Sequence, residues 1–432
     1  MRANSLWRAV LGVENTVIED VEFGQDRAEI VVTVRPVARA RGRCGRCERP
    51  AQGYDRGRGR RRWRALDLGT VIAFIEAEAP RVRCREHGVV VAHVPWARHG
   101  AGHTHAFDQQ VAWLATQSSK SAVTQLMRIA WRTVGAIIAR VWTEVEATFD
   151  PFDGLRRIGI DEISYKRGQL YLTVVIDHDS GRLVWAAAGQ NTATLQRFFD
   201  QLGPERCAQI THVSADAAAW IAKAVTKNCP DAIQGIDPFH VVMWANDALS
   251  DVRAQAWREA RRIARSTEVR RGPGRPRKDA PPRPASERAK ALQGVRVALW
   301  KNPENLNDKQ RAKLEWVAIT DPKLHRAYRL KEALRMIFKM PHDQAAEAID
   351  RWVSWARRCR IPQFVKLSRS IAARRAQILA SIANGLSNGR TESVNTKIRL
   401  LTRIAFGFKS PQALIAIAML SLGGHRPALP GR

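Results

Sequence analysis

Between Arg156 and Ala256 the chain alternates β-type and α-type patterns, and no other feature limits its fold so sharply. "RRIGIDEISY", "QLYLTVVIDH" and "RLVWAAAG" are β-rich runs parted by Gly-containing turns. Helical "TLQRFFDQLG" follows, then strand "QITHVSAD", helix "AAAWIAKAVTKN", strand "AIQGID" and helix "FHVVMWANDALSDVRAQA". Strands joined by tight turns pair antiparallel, whereas strands separated by a helix need a crossover and lie parallel. The order therefore predicts a mixed five-stranded sheet, antiparallel at its start, with helices packed on it.

That sheet gives two carboxylates a special place. Asp161 follows "IGI" in the first strand, and Asp216 ends the strand "THVSAD". With those strands as neighbours, the two side chains converge at one edge. Far downstream, "SNGRTESVNTKIRLL" holds a single acidic residue, Glu392, among Arg390, Lys397 and Arg399. Alone, the segment reads as a surface helix with one compensating charge. Together with the two aspartates it reads as a helix over the sheet edge that supplies a third carboxylate. Hard divalent cations prefer such oxygens. Two ions about 3.5–4 Å apart activate an attacking hydroxyl and stabilise a leaving oxygen in phosphodiester chemistry. Glu392 would then face metal, while Arg390, Asn395, Lys397 and Arg399 face the DNA backbone. Ser387 or Asn388 is suited to cap that helix. Among the other acids, Glu162 points to the opposite sheet face, Asp177 and Asp179 suit the turn "DHDSG", and Asp231 suits an exposed loop.

Composition agrees with a polyanionic partner. Lys+Arg number 71 against 41 Asp+Glu, a formal charge of +30, while the hydrophobic fraction of 45% is that of a folded protein. Membrane lipid is the rival polyanion, but no apolar run approaches the roughly 18 residues of a span, and the N-terminus lacks a signal-peptide h-region. Nucleic acid in a cytoplasm-like compartment is the leading class. The six cysteines do not form a secreted disulfide pattern.

The first forty residues read as short strands. From Arg35 to Arg64 there are twelve Arg and two acidic residues. Cys44-x2-Cys47 and Cys84-x2-His87 have the spacing of two knuckles around one structural Zn²⁺, or are two free-thiol turns that happen to include a His. Next, "SSKSAVTQLMRIAWRTVGAIIARVW" places Val123, Leu126, Ile129 and Ala130, then Val134, Ile137, Ile138 and Val141, at helical spacing. It reads as a trihelical helix-turn-helix unit with Arg132 and Thr133 facing DNA, or as a plain helical packing unit. The Pro-rich linker around "RGPGRPRK" resembles an AT-hook, with Arg271, Arg275, Arg277 and Lys278 available to a minor groove. A solvated tether has the same composition.

Several of these segments, "GIDEISYKRGQLYLTVVIDHDSGRLV", "VSADAAAWI", "IDPFHVV" and "LSNGRTESVNTKIRLLTRIAFGFKS", together resemble the ISL3 family of bacterial insertion-sequence transposases. The likeness runs along nearly the whole chain, including the zinc-then-helix-turn-helix order and the stretches "LWKNPENLNDKQRAKLEW" and "AYRLKEALRMIF". It implies a ribonuclease-H-like core with a DDE triad at Asp161, Asp216 and Glu392 served by two Mg²⁺ or Mn²⁺. It also implies a helical insertion between the second Asp and the Glu. Asp237 and His240 are similar to a D-x-x-H motif near the active site of related transposases, or are a helix N-cap and a buried polar side chain. The implied organisation is a strand and zinc module over 1–98, a helix-turn-helix domain over 99–150 and a first core part over 151–252. A helical insertion over 253–375 and a second core part over 376–432 complete it. The resemblance implies an enzyme that cuts element ends and joins their 3′-hydroxyls to target DNA. It implies assembly as at least a dimer on DNA in a bacterial cytoplasm, at the nucleoid. The rival is a transposase-derived regulator that binds DNA without chemistry.

Overall fold

The computed structural model describes residues 3–25, 28–166, 168, 170–216, 218–266, 286–386, 389–408 and 410–431. The linker arginines 271, 275 and 277, Lys278, Ser387 and Asn388 lie outside them.

The chain opens with helix α1 (Ala3–Leu11) rather than a strand, followed by β1 (Thr16–Phe23) and β2 (Glu29–Pro36). Strands β3 (Gln52–Asp55), β4 (Arg60–Arg64), β5 (Ile72–Glu78), β6 (Arg81–Cys84) and β7 (Gly88–Val91) complete this part. They form two sheets, of order β1-β2-β5-β4 and β3-β6-β7. In the first, Ile30, Val32, Val34, Trp63, Ala73, Ile75 and Ala77 alternate inward and are all but fully buried, the period-2 pattern of a sheet with one wet face.

Three helices follow: α2 (His105–Gln117), α3 (Lys120–Met127) and α4 (Trp131–Thr148). Val123, Val134, Ile137, Ile138 and Val141 are buried as the spacing predicts. Leu126 is not; it is 62% exposed, and Met127 fills the position instead. From Val123 the inward face continues at the i+4 rather than the i+3 position, and α3 stops there with Arg128 in the left-handed region (φ 53°). Asp108 of α2, fully buried, accepts from Arg140 of α4 at 2.8 Å and from Arg98 at 3.3 Å, which ties the preceding loop to the unit.

The central sheet contains β8 (Arg157–Lys166), β9 (Leu170–Asp177), β10 (Leu183–Ala188), β11 (His212–Ala215) and β12 (Ile233–Ile236). Between them lie α5 (Thr192–Leu202), α6 (Pro204–Cys207) and α7 (Ala219–Asn228). Its order is β10-β9-β8-β11-β12, with β9 antiparallel to both neighbours and β8, β11 and β12 mutually parallel. This is the mixed five-stranded sheet that the alternation predicts. Ile158 and Ile160 pack with α5 and α7 on one face, and Ile163, Leu172, Val174 and Ile176 on the other.

Helix α8 (Pro238–Ser266) runs unbroken through the expected division at 252/253. Beyond it come α9 (Ser286–Gly294), α10 (Arg296–Trp300), α11 (Asp308–Thr320), α12 (Pro322–Ile337), α13 (His342–Arg358), α14 (Pro362–Ala373) and α15 (Arg375–Ala383). These share one helical core with α8, centred on Leu249, Leu330, Ile349, Phe364 and Ile371. Finally α16 (Gly389–Ile404) and α17 (Pro411–Leu422) return to the sheet, burying Val394, Ile398, Leu414 and Leu420 beside α4 and β9. Among the described residues no helix is long and apolar enough to cross a membrane.

Candidate active site

Strand register builds the site. Ile160 of β8 is level with Ala215 of β11, which is level with Ile236 of β12. The next residue on each strand is an aspartate: Asp161, Asp216 and Asp237. They stand abreast where β11 and β12 end, level with the middle of β8, which runs on to Lys166; the ends of parallel strands are a common place for ligands in such sheets. Side-chain alternation puts them on the face shared with Gly159, Ser214 and Gly235. This face carries no bulk, and that is why helices reach it. A Cβ on Gly159 would lie 2.6 Å from Thr391 Oγ1 of α16, and one on Gly235 would lie 2.6 Å from Ser381 Oγ of α15.

Helix α16 is fastened there by polar bonds. Asn395 Nδ2 donates to Asp161 Oδ2 at 2.7 Å, and Asp161 Oδ1 accepts the Glu162 N–H at 2.7 Å. Glu392 lies in the first turn of α16, between Thr391 over Gly159 and Asn395 on Asp161, with its side chain exposed. Asp216 Oδ1 accepts the Ala218 N–H at 3.0 Å. Asp237, buried, accepts the Phe239 N–H at 3.1 Å at the start of α8, and its other oxygen meets His240 Nδ1 at 3.0 Å. The N-cap reading of Asp237 is therefore realised, at the level of the other two aspartates.

The electrostatics follow from crowding. Burial pushes the Asp161 carboxyl up, reinforced by Asp216 and Asp237 and opposed by the Glu162 N–H and His240. His240 is raised by its bond to Asp237. Glu162 points to the other face, as alternation predicts, toward Trp220. Burial, with Asp216 and Asp161, lifts its carboxyl to about 7. No pattern of residue types around Glu162 signals this perturbation.

One expected DNA contact is corrected. Asn395 is 2% exposed and turned to Asp161, so it cannot reach a phosphate backbone. Arg390 spends one nitrogen on the carbonyls of His178 and Asp179, pinning the start of α16 to the β9–β10 turn. Lys397 and Arg399 are exposed with no acidic partner among the described residues. Arg132 is exposed and Thr133 half-buried in the first turn of α4, which starts at Trp131. In the turn after β9, Asp177 accepts from the Asp179 N–H, the turn-forming role its sequence predicts.

The second cluster is compact. Cys44, Cys47, Cys84 and His87 offer ligand atoms all within 4.8 Å of one another, and among the described residues no other group of three or more His, Cys, Asp or Glu does so. Cys47 Sγ and Cys84 Sγ are 3.8 Å apart, and His87 Nδ1 is 3.8 Å from Cys44 Sγ and 3.7 Å from Cys84 Sγ. With Zn–S near 2.3 Å, a tetrahedral edge is about 3.8 Å, so the four side chains fit a structural zinc. Backbone N–H groups of His87 and Glu86 hold the Cys84 thiol down to about 6, which favours the thiolate that zinc takes.

Residues 158–418 match the transposase model of the ISL3 family. The chain belongs to the ISL3 family of transposases. Residues 92–142 match the helix-turn-helix domain of transposase family ISL3, and residues 40–87 match the zinc-finger of transposase IS204/IS1001/IS1096/IS1165. The zinc-finger match contains all four ligands, and the helix-turn-helix match covers α2, α3 and most of α4. The chain is 63% identical over 437 residues to the transposase for insertion sequence element IS1557 of Mycobacterium tuberculosis, covering 100% of this chain and 98% of that one. It is 22% identical over 420 residues to the transposase for insertion sequence element IS1001 of Bordetella parapertussis, covering 95% and 96%. For this family member, the transposase match takes in Asp161, Asp216, Asp237, His240, Glu392 and Asn395.

Proposed function

We propose that the protein is a DDE transposase with a ribonuclease-H-like core, which cuts phosphodiesters at the ends of an insertion sequence and joins the freed 3′-hydroxyls to target DNA. The observation that carries this reading is the level placement of Asp161 and Asp216 on adjacent strands, with the Glu392 turn of α16 held beside Asp161. Asp161, Asp216 and Glu392 would hold two Mg²⁺ or Mn²⁺. Such ions, when bound, supply activation of the attacking hydroxyl and stabilisation of the leaving oxygen. The residues fit hard cations: an acid-only triad beside Asp237, and a buried amide oxygen on Asn395 with no partner among the described residues.

The remaining roles fall to neighbouring side chains. Asp237 and its partner His240 support the edge from β12. Lys397 and Arg399, exposed and without an acidic partner among the described residues, present their cations to the DNA strand that must approach Glu392. Arg132 and Thr133 at the start of α4 read element ends, assisted by the zinc module. Two ends must be processed together, so at least a dimer assembles on DNA, in the cytoplasm at the nucleoid.

The test is incubation with a labelled donor end, Mg²⁺ and target plasmid, with nicks and joined products mapped. The wild-type chain cuts at the element end and joins it. Asp161→Ala, Asp216→Ala and Glu392→Ala each lower cleavage by about a thousandfold or more, with end binding within about twofold. A wild-type chain that binds ends but never cuts them is a regulator, and full cleavage by Glu392→Ala removes Glu392 from the triad.

A further inference from the structure

Asn395 is an unusual residue to bury. It is 2% exposed on the side of α16 that meets the sheet, flanked by the apolar Val394 and Ile398. Packing alone would take a leucine there. Its Nδ2 is satisfied by Asp161 Oδ2 at 2.7 Å, but its Oδ1 is buried with no partner among the described residues. A buried acceptor left without a donor destabilises the fold, so the position is held for something other than stability.

The bond has two geometric consequences. Asp161 receives a donor on each oxygen, Asn395 Nδ2 on one and the Glu162 N–H on the other, so its carboxylate plane is set. The same bond fixes the rotation and height of α16 on β8, and Glu392 lies one turn away on that helix. The close approach depends on Gly159, over which Thr391 sits. The orphan oxygen is left to accept from a donor that arrives with the cation, such as a water.

We propose that Asn395 is a positioning residue for the divalent-cation site: it orients the Asp161 carboxylate, registers Glu392 against it, and offers its free amide oxygen to the incoming hydration shell. This rests on the assignment of Asp161 and Glu392 as cation ligands. Residues that orient ligands typically change metal affinity 10- to 100-fold when replaced.

The experiment uses the full chain and reads Mn²⁺ binding by electron paramagnetic resonance, together with the pH profile of Mg²⁺-dependent end cleavage. Asn395→Leu keeps the volume and removes both donor and acceptor. It should weaken Mn²⁺ roughly tenfold and move the acid limb of cleavage to higher pH, because a carboxylate deprived of a donor holds its proton more tightly. Excess metal should restore part of the rate. Asn395→Asp, which keeps an acceptor but loses the donor, serves if the leucine variant fails to fold, and should shift the acid limb in the same direction. Unchanged Mn²⁺ affinity and an unmoved acid limb in a folded variant overturn the proposal. Asp161→Asn is the control: if it too leaves Mn²⁺ binding intact, the cation site itself is misassigned. If only the Asn395 variants are silent, the positioning role alone is lost.

Discussion

At the scale of single residues, neighbours one position apart on β8 meet opposite demands. Asp161 faces α16 and is a proposed cation ligand, whereas Glu162 faces α7, and burial near Asp216 and Asp161 lifts it to about 7. A raised carboxyl binds its proton more tightly folded than unfolded, so its penalty grows as pH climbs from the ordinary glutamate range to about 7 and is constant above that. Glu162→Gln should therefore stabilise the chain at pH 8 by about 1 kcal/mol, a figure discounted for solvent at this half-exposed position. The gain should vanish below about pH 5. Thermal melts of both proteins across that range check it, and a pH-independent difference contradicts it. The three acids of the proposed triad are legible from strand order and from one carboxylate in a basic helix. Asn395 reads from sequence as a DNA contact because helical spacing puts it on the Glu392 face. Only the missing side chain of Gly159 lets α16 sink far enough to bury it.

Among elements, the decisive contact is that of α16 on β8. Gly159→Ala would place a methyl 2.6 Å from Thr391 Oγ1 and 2.9 Å from Ile176 Cγ1. Overpacking of this kind costs about 1–3 kcal/mol, and the displaced helix carries Glu392 with it. We expect a lower denaturation midpoint and a larger loss of cleavage than of end binding; undiminished cleavage in a destabilised variant contradicts the docking account. The zinc ribbon is the other self-contained device. Chelation should raise hydrogen exchange across β3, β6 and β7, which surround the four ligands, while β8, β9 and β11 stay protected. Equal protection with and without zinc contradicts a structural ion. Ligand spacing makes this site readable, and α1 is readable too: Leu6, Trp7, Val10 and Leu11 recur at helical spacing within its nine residues, a signal that a strand reading of the first forty residues passes over. By contrast, the 29-residue α8 has nothing in its sequence that marks where the sheet's helices end and the inserted bundle begins.

Over the whole molecule, a charge of +30 says that a polyanion binds but not where. The structure separates spent arginines from free ones. On the β1-β2-β5-β4 sheet, Arg35 pairs with Glu19 at 2.8 Å, and Arg60 and Arg62 pair with Glu76 at 3.2 and 2.8 Å. On the ribbon, Arg83 lies over the Tyr54 ring, and neither it nor Arg85 has an acidic partner among the described residues. Replacing Arg83 and Arg85 with Ala should lower the salt slope of end binding by about 0.9 for each phosphate that is no longer neutralised. Replacing Arg60 and Arg62 should leave the slope alone; the reverse result places DNA on the sheet instead. Composition could not reveal this division, because pairing is decided by which strands lie side by side. The central claim is that β8, β11 and α16 surround one cation site, and Fe²⁺ with ascorbate in place of Mg²⁺ tests it directly by cutting the polypeptide near bound iron. The account predicts metal-dependent cuts in three segments, around Asp161, Asp216 and Glu392, each suppressed by excess Mg²⁺. Cuts near the two aspartates with none on α16, or no localised cutting, would contradict it.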